Sequence, residues 1–121
     1  MDFTYHSNEL KNKLNIAPVI LAGPEACRVI TDNGGTITQN GGFLWNDGQF
    51  IVAVKDENHI GTLAHEMRHA WQYMNQVKEY KFGNKNIYDK REKEVNAYKY
   101  AIWYLKQYGL SEPINIPKLS R

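Results

Sequence analysis

The stretch whose reading decides the fold runs from strand into helix: Phe50-Ile51-Val52-Ala53-Val54-Lys55-Asp56-Glu57-Asn58-His59-Ile60-Gly61-Thr62-Leu63-Ala64-His65-Glu66-Met67-Arg68-His69-Ala70-Trp71-Gln72. Its first part, Phe50 to Lys55, is rich in β-branched and aromatic residues and follows the turn pair Asp47-Gly48, with Phe43 to Trp45 as a hairpin partner. After Lys55 the period changes. Leu63, Met67, Ala70, Met74 and Val77 recur at spacings of three and four, an apolar stripe along a helix of about five turns. Asp56 or Asn58 stands where an N-cap belongs.

Working outward, Ala17 to Lys55 reads as short strands and tight turns, punctuated by Gly23-Pro24, Asn33-Gly34-Gly35 and Asn40-Gly41-Gly42. Asn8 to Asn15 makes a short helix opened by Ser7 or Asn8 and closed before Pro18. A second long helix begins at Asp89, where Asp89 and Glu92 have capping-box spacing. Gly109 stands at its C-cap, and Val95, Ile102 and Leu105 form its buried seam. Lys78 to Tyr88, with Gly83, connects the two helices, and Pro113 and Pro117 make 110–121 an extended tail. The expected class is α+β: a small, mostly antiparallel sheet packed on the helix that carries His65 and His69, followed by a second helix.

The 121 residues suit one domain over 1–121, able to bury about two thirds of its surface without staples. The net charge of +2 lacks the basic footprint of nucleic-acid binding, and no apolar run approaches the ~20 residues of a membrane span. Met1 to Leu10 lacks a signal peptide's apolar stretch, so the expected address is the cytoplasm. A lone Cys27 allows no internal disulfide and no cysteine-only metal site. Oligomeric state is not legible.

His65-Glu66-Met67-Arg68-His69 is an H-E-x-x-H sequence on the first long helix. Four helical residues advance about 400°, so the two imidazoles share a face and can ligate one ion. The register keeps both off the Leu63, Met67, Ala70 stripe. Glu66 projects beside that ion, where a carboxylate can take a proton from water and deliver it to a leaving amine.

A catalytic zinc normally takes three protein ligands. The metzincin third histidine is excluded, because Gln72 and Asn75 stand where the glycine and histidine of that motif belong. Cys27, 38 residues before His65, has a tolerable spacing for a deformylase-like site, but Pro24-Glu25-Ala26-Cys27-Arg28-Val29 does not reproduce that context. On the second helix, Glu92 is occupied by the capping box. Glu94 lies one turn before Tyr98 on a face that reads as buried, where a carboxylate is costly unless paired or metal-bound. Glu94 is therefore preferred.

At this point the chain resembles the gluzincins, zinc metallopeptidases with H-E-x-x-H on one helix and a glutamate ligand on the next, and among them the compact prokaryotic minigluzincins and small phage- and mobile-element-associated peptidases. The resemblance covers roughly Phe50 to Leu105, through His65, Glu66, His69 and Glu94-x-x-Ala97-x-x-x-Ala101. It implies Zn2+ held by His65, His69 and Glu94, with Glu66 as general base and acid. Many gluzincins carry an aspartate or asparagine where Tyr98 stands here, and a phenol is a different kind of support.

In such peptidases the strand before the helix is a sheet edge that pairs with extended substrate, the place of Phe50 to Lys55 here. Tyr98, Tyr73, Tyr88 and His59 are candidate oxyanion donors, of which Tyr98 lies one turn after Glu94. Trp71 is a candidate cover for the metal site, with core packing as its plainer role. The tail Ser111 to Arg121 is a candidate for covering the cleft. The expectation is thus a zinc peptidase, active or latent, acting on an extended peptide or unfolded protein segment. Two alternatives stand beside it: a deformylase-like amidase using Cys27, or a non-catalytic binding or regulatory protein of phage or mobile-element origin that retains a metal site.

Overall fold

The computed structural model describes residues 3–36, 40–46, 48–80 and 87–112, and for 45, 46, 76–80 and 87–91 the backbone only. Asp47 of the turn, the Gly83 region of the connection and the tail beyond Glu112 lie outside the described residues, as do the side chains of Val77, Tyr88 and Asp89. The elements in chain order are α1 (Phe3–Leu14), β1 (Val19–Ala22), α2 (Pro24–Asp32), β2 (Gly41–Asn46), β3 (Gln49–Val54), α3 (Ile60–Tyr80) and α4 (Ile87–Gln107). This is a small α+β architecture, with four helices and a three-stranded sheet among the described residues.

The sheet has the order β1-β3-β2. β2 pairs antiparallel with β3, from Gly41 opposite Val54 to Asn46 opposite Gln49, so the hairpin reading of this segment holds. β1 pairs parallel with β3, from Val19 opposite Ile51 to Ala22 opposite Val54. The sheet is therefore mixed, where a mostly antiparallel one was expected. It also corrects the edge assignment. The strand Phe50 to Lys55 falls on β3, which is central, and among the described residues β1 and β2 are the outer strands.

β3 is apolar on both faces because both are covered. Val52 and Val54 pack with α1, α3 and α4 residues in the main core, whereas Ala53, pointing the other way, packs with Ala26 and Ile30 of α2. The sheet thus separates α2 from α3.

α2 was unexpected, since Gly23-Pro24 reads as a turn. Gly23 is the residue before the helix, at φ 73, and Pro24 occupies the first helical turn, where its missing N–H costs nothing. Asn33-Gly34-Gly35, also read as a turn, is the end of this helix: the N–H of Gly35 reaches the carbonyl of Ile30. The β-branched Val29, Ile30 and Thr31 disguise the helix in sequence.

α1 begins at Phe3 rather than at Asn8, and Ser7, proposed as its cap, is buried inside it. α3 starts at Ile60 without Asp56 or Asn58 as its cap: Asp56 Oδ1 instead accepts the N–H of Asn58 at 2.9 Å in the preceding turn. Its first two N–H groups go to Glu112, whose two carboxylate oxygens accept from Ile60 and Gly61 at 2.8 Å each. α4 begins two residues before Asp89, placing that residue within its first turn. Its C-terminus ends as Gly109 suggests: the N–H of Leu110 bonds the carbonyl of Leu105, and Gly109 takes φ 64.

Two apolar seams differ from the periodic reading. Leu63, Met67 and Ala70 are fully buried, but Met74, one turn on, is exposed. On α4 the buried line is Ala97, Ala101, Tyr104 and Leu105, and Ile102 faces solvent. Two alanines let α4 lie close against α3, and Tyr104 reaches across to α1, where its hydroxyl meets His6 Nδ1 at 2.7 Å. No helix among the described residues is long and apolar enough to cross a membrane.

Candidate metal centre

His65 and His69 stand one turn apart on α3, and Glu94 faces them from the neighbouring α4. Glu94 Oε1 lies 2.7 Å from His65 Nε2 and 2.9 Å from His69 Nε2, and the two nitrogens are 3.1 Å apart. Glu92, two residues earlier, is exposed. Around a tetrahedral zinc with bonds of about 2.0–2.1 Å, ligand atoms stand about 3.3 Å apart. The three atoms therefore converge a few tenths of an ångström more tightly than an ion would hold them. Among the described residues, this is the group of His, Cys, Asp or Glu side chains able to hold a metal.

The donor set fits a cation for a second reason. Two imidazole nitrogens and a carboxylate oxygen carry lone pairs toward one another, an arrangement that needs a proton or a metal between them. In the metal-free chain the proton goes to His65. Burial works against its charge, but hydrogen bonds to Glu66 and Glu94 and the negative charge of both outweigh burial and raise its pKa to about 9. Hydrogen bonds from His65 and then His69 hold the Glu94 carboxyl well below the usual carboxylate range.

Both rings are fixed by aromatic neighbours. Tyr98 stacks on His65, with centroids 4.2 Å apart and planes 19° from parallel, and Phe43 of β2 lies parallel to His69 at 6.2 Å. Gln72 accepts from His69 Nδ1 at 2.9 Å. Glu66 is buried beside the cluster, its Oε2 3.4 Å from His65 Nδ1.

These groups line a pocket of about 420 Å³, walled by Asn40 to Phe43 on one side and by Glu94 and Tyr98 on the other, with Thr62, His65, Glu66 and His69 between. The β2 wall comes so near because Gly41 has no side chain: a Cβ there would meet Thr62 Cγ2 at 2.8 Å and Glu66 Cγ at 3.1 Å.

Of the other residues singled out from sequence, Cys27 lies on α2, across the sheet from the cluster. His59 precedes α3 and pairs with Asp56 at 3.6 Å. Tyr73 packs edge-on against Phe43 and Phe50. Trp71 packs on the core, with Arg68 stacked 3.9 Å over its ring. Burial, then the charges of Glu94 and Glu66, raise the pKa of Tyr98, so its phenol keeps its proton. Sequence reasoning missed Phe43, Gly41, Asn96 and Glu112. The Gly41-Gly42 pair was a signal, read as a turn; nothing in the sequence marks Glu112 as a partner of Ile60.

Fold and site together define a small α+β protein with a His-His-Glu cluster in an open pocket. The chain belongs to the family described as Protein of unknown function (DUF3920), whose profile matches residues 9–111. Neither the curated proteins nor the solved structures contain a match to it.

Proposed function

We propose that this protein is a zinc-dependent peptidase of gluzincin type, with His65, His69 and Glu94 as the metal ligands and Glu66 as general base and acid. The observation that carries the reading is the convergence of His65 Nε2, His69 Nε2 and Glu94 Oε1 within 3.1 Å in a pocket that Glu66 also lines. Zinc held there would polarise a substrate carbonyl and make water a nucleophile near neutral pH. Glu66 would accept the proton of the attacking water as its oxygen bonds to the carbonyl carbon, then deliver that proton to the amine as the carbon–nitrogen bond breaks. Of the candidate oxyanion donors whose side chains are described, Tyr98 lines the pocket, and its hydroxyl would stabilise the oxyanion. Gly42 and Phe43 line the pocket from β2, an outer strand of the sheet among the described residues, so an extended peptide backbone has a strand to run along there. An extended peptide or unfolded segment is accordingly the substrate class.

Zinc per chain, measured by elemental analysis, tests the site. Near-stoichiometric zinc in the wild type and in Glu92→Ala, with loss in His69→Ala and Glu94→Ala, is the expected result. A wild type that holds none after incubation with zinc at neutral pH ends the peptidase reading. If zinc is bound, cleavage of an unfolded protein by wild type but not by Glu66→Gln supports catalysis. Equal inactivity of both, persisting in the chain shortened to Pro113, assigns the zinc a structural role.

A further inference from the structure

Gln72 is buried between α3 and α4, and both ends of its amide are committed. Nε2 lies 3.0 Å from the backbone oxygen of Lys93 and 3.0 Å from Asn96 Oδ1. A backbone carbonyl only accepts, so the end of the amide facing it is the NH2, and the end facing His69 is the oxygen. Arg68 Nε donates to the same Asn96 Oδ1 at 2.8 Å, which holds Asn96 as the acceptor and leaves the amide one orientation. An oxygen 2.9 Å from His69 Nδ1 requires the proton on that nitrogen. With Nδ1 holding that proton, Nε2, the atom that faces Glu94 and His65, is the nitrogen a metal can take in place of the proton shared with Glu94.

We propose that Gln72 is the positioning residue of the cluster: its oxygen selects the His69 tautomer that can ligate a metal, and its NH2 ties α4 at Lys93, the residue before Glu94. One amide thus aligns two ligands that come from different helices. This rests on the metal-site reading above.

The test compares wild type, Gln72→Met and Gln72→Glu by two measurements. The first is the tautomer of His69 in metal-free, nitrogen-15-labelled protein, read from long-range proton–nitrogen correlations. The second is zinc affinity, by competition with a chromophoric chelator. In wild type His69 should carry a proton on Nδ1, facing Gln72. Gln72→Met should lose the Nδ1 proton, leaving Nε2 as the protonated nitrogen, and weaken zinc binding about 10- to 100-fold. Gln72→Glu keeps an acceptor at Nδ1 while losing both donors to α4, so it should retain the Nδ1 proton and bind zinc more weakly than wild type but more tightly than Gln72→Met.

A role confined to tying the helices together would make Glu as damaging to zinc binding as Met, and that result overturns the proposal. So does an unchanged tautomer in Gln72→Met. Should the Met variant not fold, a His69 Nδ1 without its proton in folded Gln72→Glu overturns it as well. If no variant binds zinc, the metal reading fails, while the tautomer comparison still decides what Gln72 does.

Discussion

His65 and Glu94, 29 residues apart in the chain, meet at 2.7 Å between Nε2 and Oε1, and without a metal that contact is an ion pair. The pKa of His65, raised from 6.5 to about 9, means the folded state holds its proton more tightly than the unfolded chain does. Its contribution to stability is complete below about pH 6.5 and is lost as pH rises through 9. Glu94, shifted down from 4.5, contributes fully above that value and loses its contribution in acid. The thermal midpoint of the metal-free protein should therefore fall between pH 6.5 and 9, and Glu94→Gln should flatten that fall. Parallel curves for the two proteins would show that the pair contributes nothing.

The same pair makes metal binding a proton exchange. Below pH 9 zinc displaces the proton of His65, so binding near pH 7.5 should release about one proton per ion. Calorimetric titration in two buffers of different ionisation enthalpy measures that number. Release near zero would mean that His65 is already neutral in the free protein.

Gly41→Ala places a Cβ 2.8 Å from Thr62 Cγ2 and 3.1 Å from both the Ala53 carbonyl oxygen and Glu66 Cγ. Overpacking of this kind costs about 1–3 kcal/mol, and here the displaced group includes the proposed base. We expect a lower melting temperature together with reduced peptide cleavage. Thr62→Ser removes the nearest atom, so adding it should restore part of the stability. No effect from Gly41→Ala would mean that β2 can move away from the pocket freely.

Glu112 closes the N-terminus of α3 from 52 residues further along the chain. Glu112→Ala leaves two N–H groups without their carboxylate and should lower stability by about 1–2 kcal/mol, measured by denaturant unfolding. This bears on any test of the tail as a cover for the cleft. Removing Ser111 to Arg121 also removes the cap, whereas a chain ending at Pro113 keeps it. Higher peptidase turnover in the chain ending at Pro113 would be the clean sign of an inhibitory tail.

Tyr98→Phe retains the ring stacked on His65 and deletes only the hydroxyl. Zinc content should be unchanged, with kcat reduced about 100-fold and KM little altered if the hydroxyl stabilises the oxyanion. Loss of zinc in this variant would instead assign the hydroxyl to holding the site together.

Much of this protein was legible as local pattern. The β2–β3 hairpin, the long helix of His65 and His69 and the glycine that ends α4 each follow from period, turn chemistry or capping within a few residues. The i, i+4 spacing alone puts two imidazoles on one face. α2 escaped because its residues Val29 to Thr31 favour strands taken singly, and only packing of Ala26 and Ile30 on Ala53 makes them a helix. Relations between distant segments depended on the tertiary structure. It decided that β3 is central and β2 an outer strand among the described residues, since strand order depends on which neighbours can cover both faces of an apolar strand. It set Cys27 on the far side of the sheet, brought Glu112 to Ile60, and laid Gln72 between His69 and Lys93. Hydrogen bonds and ligand geometry are satisfied across space within about 3 Å, while sequence patterns register only what repeats along a single element.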